Sequence, residues 1–148
     1  MSDAVSTGRG CLGCDFAVFS DGFDTDELSR RTGIEADWSL PPVPARLERR
    51  GLVREQRRRG CWLIRSNGRI TSEDVNVHLR YLLALLLPHR EAIAAASDGG
   101  ATMFSVQWAG TVYPYHSGPC LAADCVAGIA ELRAEISITW RSGHATDA

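Results

Sequence analysis

From Cys14 to Ser20 the chain alternates, with Phe16 and Val18 on one side and Asp15 and Ala17 on the other, as a strand with one buried face requires. Asp24 stands three residues before Glu27, the pattern of an N-cap with a reciprocal carboxylate, and Gly33-Ile34 supplies a left-handed stop with an apolar clasp. The spacing predicts a helix over 25–32. Cys61 to Ser66 reads as a second strand carrying Trp62 and Ile64 on one face, closed by the turn signal Asn67-Gly68. Thr71 and Ser72 then offer capping hydroxyls to a long helix whose Val75, Leu79, Leu82, Leu83 and Leu86 form one apolar stripe. Pro88 cannot continue the hydrogen-bond ladder, so the helix must bend there or restart as a segment carrying Ile93. Met103 to Trp108 is a third strand. A helix over 122–132 offers Val126, Ile129 and Ala130 to the core, and a fourth strand over 134–140 alternates with Ile136, Ile138 and Trp140 on one face.

Strands and helices therefore take turns along the chain, and the strands alternate rather than running solidly apolar. That combination implies an α+β fold: a four-stranded mixed or antiparallel sheet with helices packed on one face and the other face partly solvated. With 148 residues and 45% hydrophobic content the chain fits one domain with a real core. Residues 1–10 and 142–148 are expected to be flexible tails around a single domain over 11–141. An open sheet face bearing aromatic rings would need a cover, and a homodimer formed through the sheet is the expected remedy.

Charge changes the picture in one place. All sixteen basic residues are arginine against eighteen acids, and seven of them (Arg46, Arg49, Arg50, Arg54, Arg57, Arg58, Arg59) share a short stretch with two glutamates, a local +5 that leaves the remainder at −7. This lies in a Pro/Arg-rich insertion over 36–59 that also holds Trp38, Pro41, Pro42 and Pro44. Clustered guanidiniums suit charge-assisted contact with a protein partner. The absence of aromatics within the run argues against single-stranded nucleic acid, and the net charge of −2 offers no field for nucleic acid or an anionic membrane. The expected partner-contact residues are Arg49, Arg50, Arg54, Arg57, Arg58, Arg59 and Trp38, with Tyr113 and Tyr115 from the aromatic loop over 110–118.

Signatures of catalysis are missing: no nucleophile elbow, phosphate loop, dinucleotide fingerprint or His-Glu-x-x-His helix, and no lysine at all. Cys11 and Cys14 have the spacing of half a zinc site, and Cys120, Cys125 and His116 are the residues that could complete it. Five cysteines in a chain without an export signal otherwise read as reduced thiols. A small enzyme or zinc-binding domain using these residues is the alternative to a binding protein that needs no cofactor. With no apolar run of spanning length, the expectation is a cytoplasmic protein.

The runs Cys14-Asp15-Phe16-Ala17-Val18-Phe19-Ser20, Asp24-Thr25-Asp26-Glu27-Leu28, Gly33-Ile34-Glu35 ahead of a Trp, and Cys61-Trp62-Leu63-Ile64-Arg65-Ser66, followed by a Leu-rich helix with Pro88, resemble the bacterial domain-of-unknown-function family 4279. The resemblance covers about residues 14–141. Arg133 stands where members often end the last helix with Gly, and Thr139-Trp140 replaces a usual Asp-Tyr ending. The resemblance implies a small stand-alone bacterial protein without established activity. Its compact build is similar to immunity proteins, which implies an inhibitor docking on a protein toxin.

Overall fold

The computed structural model describes residues 10–22, 24–49, 52–98, 100–109 and 118–141, and of residues 43–58 the backbone alone. Its elements in chain order are β1 (Gly10–Ser20), α1 (Thr25–Thr32), β2 (Trp38–Leu40), β3 (Val43–Arg49), β4 (Leu52–Arg58), β5 (Gly60–Arg65), α2 (Val75–Leu86), a 3₁₀ turn (Leu87–His89), α3 (Arg90–Ala96), β6 (Ala101–Ala109), α4 (Ala123–Glu131) and β7 (Glu135–Arg141). Both expected tails lie outside the described residues, save that Gly10 already belongs to β1.

The fold is α+β, built on a mixed sheet in the order β2-β5-β1-β6-β7. All neighbours are antiparallel except β6 and β7, which α4 joins as a parallel pair. The sheet has five strands rather than four. The additional one, β2, has three residues, too few for alternation to show in the sequence. It is held in place by Asp37, whose backbone N–H bonds Leu63 and whose carboxylate accepts from the Arg65 N–H (2.6 Å) and from both terminal nitrogens of Arg69 (2.7 and 2.8 Å). Burial works upward on the Asp37 carboxyl, but the Arg69 guanidinium and the Arg65 N–H outweigh it and hold the group below its ordinary range.

Register fixes the two faces. Phe16 pairs with Ile64 and Phe104, Val18 with Trp62, Cys14 with Val106, so these residues share one face, and all are buried with Leu79, Leu82, Leu86 and Ile93 in one cluster. Helices α1, α2 and α3 pack there, and α4 lies against α2. The same register puts Trp62, Trp108 and Trp140 on this helix side, while Trp38 and Phe19 fall on the opposite face with Ala17 and Leu63. That face is mixed: Asp15, Arg65, Ser105, Gln107, Ser137 and Thr139 occupy one part, and Trp38, Leu63, Phe19 and Met103 lie around the small buried Ala17.

Caps differ in detail from the sequence reading. Asp24 caps α1 by accepting from the N–H groups of Asp26 and Glu27 (2.9 and 3.2 Å), but the Glu27 carboxylate turns to Arg30 and Arg31 instead of back to the cap. For α2 the cap is Asp74, which accepts from Asn76 N–H at 2.9 Å, while Ser72 Oγ accepts from Asp74 N–H. An anionic cap supplanting a hydroxyl accords with the positive helix start. In α4 the buried positions are Cys125, Gly128 and Ile129, and Val126 is 50% exposed. The small Gly128 lets α4 approach Leu83 of α2, and this rotation carries Val126 and Ala130 to the outside.

The end of α4 explains the departure at Arg133. Ala134 N–H bonds Ile129 O (3.1 Å) and Arg133 N–H bonds Ala130 O (2.9 Å), a full Schellman motif, with Arg133 at φ 51 in the left-handed position that glycine occupies without strain. Arg133→Gly is expected to stabilise the protein by about 0.5–1 kcal/mol. Urea titration followed by circular dichroism checks this, and a loss of stability would contradict it.

Candidate interaction surfaces and the cysteine sites

The expected arginine contact segment is regular structure. Antiparallel β3 and β4 form a two-stranded sheet of their own, carried on from the end of the β2–β5 pair by Pro41-Pro42 on one side and Arg59 on the other. Alternation of Val43, Ala45 and Leu47 with Pro44, Arg46 and Glu48 is present in the sequence but submerged in charge. The register pairs Val43 with Arg58, Ala45 with Gln56, Leu47 with Arg54 and Arg49 with Leu52, and directly opposed residues share a face. One face of the hairpin therefore holds Arg49, Arg54 and Arg58 among Val43, Leu47 and Leu52, with no acid. The other holds Arg46 opposite Glu55, Pro44 opposite Arg57 and Glu48 opposite Val53, in charge balance. Sequence alone shows the +5 but not that it divides unequally.

Arg50, Tyr113, Tyr115 and His116 lie outside the described residues. Arg59 follows β4 and faces Asp21 across 3.5 Å. Trp38 stands exposed on the edge strand β2, in the strand pair that leads into the hairpin. The contact residues on the described elements thus follow one another along β2, β3 and β4.

Cys11 and Cys14 come together in the core for a reason the sequence reading missed. Residues three apart on a strand point to opposite faces, but β1 carries a bulge between Cys11 and Gly13, with Gly13 at φ +156 and Leu12 turned outward. The bulge restores a common face, and the two sulfurs lie 3.8 Å apart. Hydrogen bonding to Cys11, then burial, pushes Cys14 well above the ordinary thiol range, while the bond from Cys14 draws Cys11 down. Burial raises Cys61 and Cys125 as well. Cys120 is exposed, and its carbonyl accepts from Asn76 Nδ2. Among the described residues no three of His, Cys, Asp and Glu group closely enough to hold a metal.

His78 is 2% exposed. Its Nε2–H donates to Ser72 O at 2.8 Å and its Nδ1 lies 2.7 Å from Ser66 Oγ, which accepts from Cys14 N–H. Both ring nitrogens are thereby engaged, which ties the start of α2 to β1. Among the described residues, one cleft of about 320 Å³ lies beside Ser97, Asp98, Arg133 and Glu135, and another of about 220 Å³ lies between α1 and α3. In the first the Ser97 hydroxyl donates to Ala94 O at 3.1 Å rather than to a carboxylate. No helix among the described residues is long and apolar enough to cross a membrane.

A surface missed by the sequence reading is the outer edge of β7. Among the described residues this strand ends the sheet, and its Ile136, Ile138 and Trp140 are 37%, 37% and 43% exposed on the helix side. The Trp140 ring rests edge-on against Trp108, centroids 6.4 Å apart. The alternation of β7 was visible in the sequence; its place at the sheet edge, beyond the cover of the helices, was not.

A family model described as "Domain of unknown function (DUF4279)" matches residues 10–142. No curated protein and no solved structure matches the chain.

Proposed function

The chain belongs to the DUF4279 family, and from its geometry we propose a non-catalytic protein-binding domain whose contact element is the β3–β4 hairpin and whose partner presents an acidic surface. The observation that carries this reading is the division of the hairpin: three arginines and no acid on one face, each directly across from Val43, Leu47 or Leu52. Arginines at register positions opposite aliphatic ones suit a partner rich in carboxylates, with which guanidiniums make strong charge-assisted bonds. The balanced opposite face has no such preference. In its finer form the reading is an immunity-type inhibitor, with the toxin supplying the acidic surface. The buried thiols and the His78 network serve the core on this reading, and no cofactor is required.

Site-specific photo-crosslinking in the producing cell tests it. A crosslinker at Leu47 is expected to trap one dominant acidic protein, and the same group at Val53, on the other face, is not. Arg49→Glu, Arg54→Glu and Arg58→Glu together are expected to lower the adduct at least about tenfold, while Arg46→Glu with Arg57→Glu spares it. Equal trapping from both faces, or a nucleic-acid adduct, would overturn the proposal. For the inhibitor form, the triple variant must also lose protection against the trapped partner.

A further inference from the structure

An edge strand leaves a row of backbone donors and acceptors unpaired, and proteins usually blunt such edges with short strands, prolines, lysines or bulges. The β2 edge is treated in this way, with three residues followed directly by Pro41-Pro42. The β7 edge is not. It runs seven residues, Glu-Ile-Ser-Ile-Thr-Trp-Arg, without proline, lysine or bulge, and exposes three large apolar side chains. Among the described residues neither Glu135 nor Arg141 has an ion-pair partner, and both are exposed.

We infer that β7 pairs antiparallel with β7 of a second copy of this chain, about a two-fold axis at Ile138, joining the two sheets into one of ten strands. The occupant is indicated by self-complementarity. With Ile138 opposite its own copy, Ser137 meets Thr139, Ile136 meets Trp140, and Glu135 meets Arg141, each contact made twice. Opposed residues share a face, so the apolar pairs all fall on the helix side and both ion pairs on the other. The contact between Trp140 and Trp108 presets the indole at the edge, which reduces the ordering needed on association. A parallel arrangement in the same register would instead oppose Glu135 to Glu135 and Arg141 to Arg141. This surface is separate from the hairpin, so either assignment stands without the other.

Sedimentation velocity on the full chain at about 1–100 µM, with thermal melts to confirm folding, tests the pairing. Wild type is expected to sediment at twice the 16.1 kDa chain mass, and Ile138→Lys, which sets two cations on the axis, as a monomer. Glu135→Arg and Arg141→Glu are each expected to weaken the dimer at least about tenfold by opposing like charges, and the double swap to restore it to within about threefold of wild type. A monomeric wild type across this range, a dimer indifferent to Ile138→Lys, or a double swap that adds the two losses would each overturn the inference.

Discussion

Replacing Trp62 with alanine is expected to remove about 4 kcal/mol of stability, the middle of the range for deleting a large buried aromatic. Trp62 is 0% exposed and is the largest of the fully buried side chains. It packs on the helix face of β5 opposite Val18, and its Nε1–H donates to Ser29 Oγ of α1 at 2.9 Å. Truncation therefore opens a cavity where sheet and α1 meet, and it also frees the hydroxyl that orients the helix. For a domain of this size the change corresponds to a melting temperature lower by roughly 12–15 °C. Trp62→Phe keeps most of the ring volume and loses the hydrogen bond, so it is expected to cost about 1–2 kcal/mol. Urea titrations read by circular dichroism separate the two; a loss below about 2 kcal/mol for the alanine variant would show that the core closes over the vacancy.

The second large effect comes from adding one carbon. A Cβ on Gly100 would lie 1.9 Å from the Phe19 carbonyl oxygen, 2.9 Å from its carbon and 3.1 Å from Ser20 Cα. All three neighbours are main chain, so no rotamer change relieves the clash, and the end of β1 must separate from the start of β6 where Phe19 pairs with Ala101. Gly100→Ala is expected to cost about 3 kcal/mol, as overpacking that moves backbone does. Gly22 is the control: a Cβ there meets nothing within 4 Å, and Gly22→Ala is expected to stay within about 0.5 kcal/mol of wild type. Equal melting curves for the two variants would contradict the close approach of β1 and β6 at this point.

The two proposed interaction surfaces differ in what they ask of the chain. The hairpin needs only local pairing of β3 with β4 to separate an acid-free face with three arginines from a charge-balanced one. The β7 edge depends on the whole sheet, because a parallel strand reached through α4 becomes an edge only when nothing else in the fold pairs beyond it. A variant that loosens the core, such as Trp62→Ala, is therefore expected to disturb dimerisation before it disturbs the hairpin.

Local rules were sufficient for the elements whose signal is short-range. Asp24 and Gly33 bound α1, the leucine stripe defined α2, and Pro88 divided it from α3, because caps, period and the missing proline N–H act within a few residues. The α+β class followed from the order of these elements, and the family from the residues at their caps and core. Other features depend on residues distant in sequence. The strand β2 exists because Asp37 finds Arg69 and Leu63; Cys11 and Cys14 share a face because β1 bulges against β6; Val126 turns outward because Gly128 admits Leu83. The arginine run was legible as charge, but its sorting into a cationic and a balanced face required the register of β3 on β4. Likewise the alternation of Ile136, Ile138 and Trp140 was plain in the sequence, and only the strand order put them at an edge beyond the reach of the helices. Local propensity is encoded residue by residue; pairing partner, register and edge position are properties of the assembled sheet.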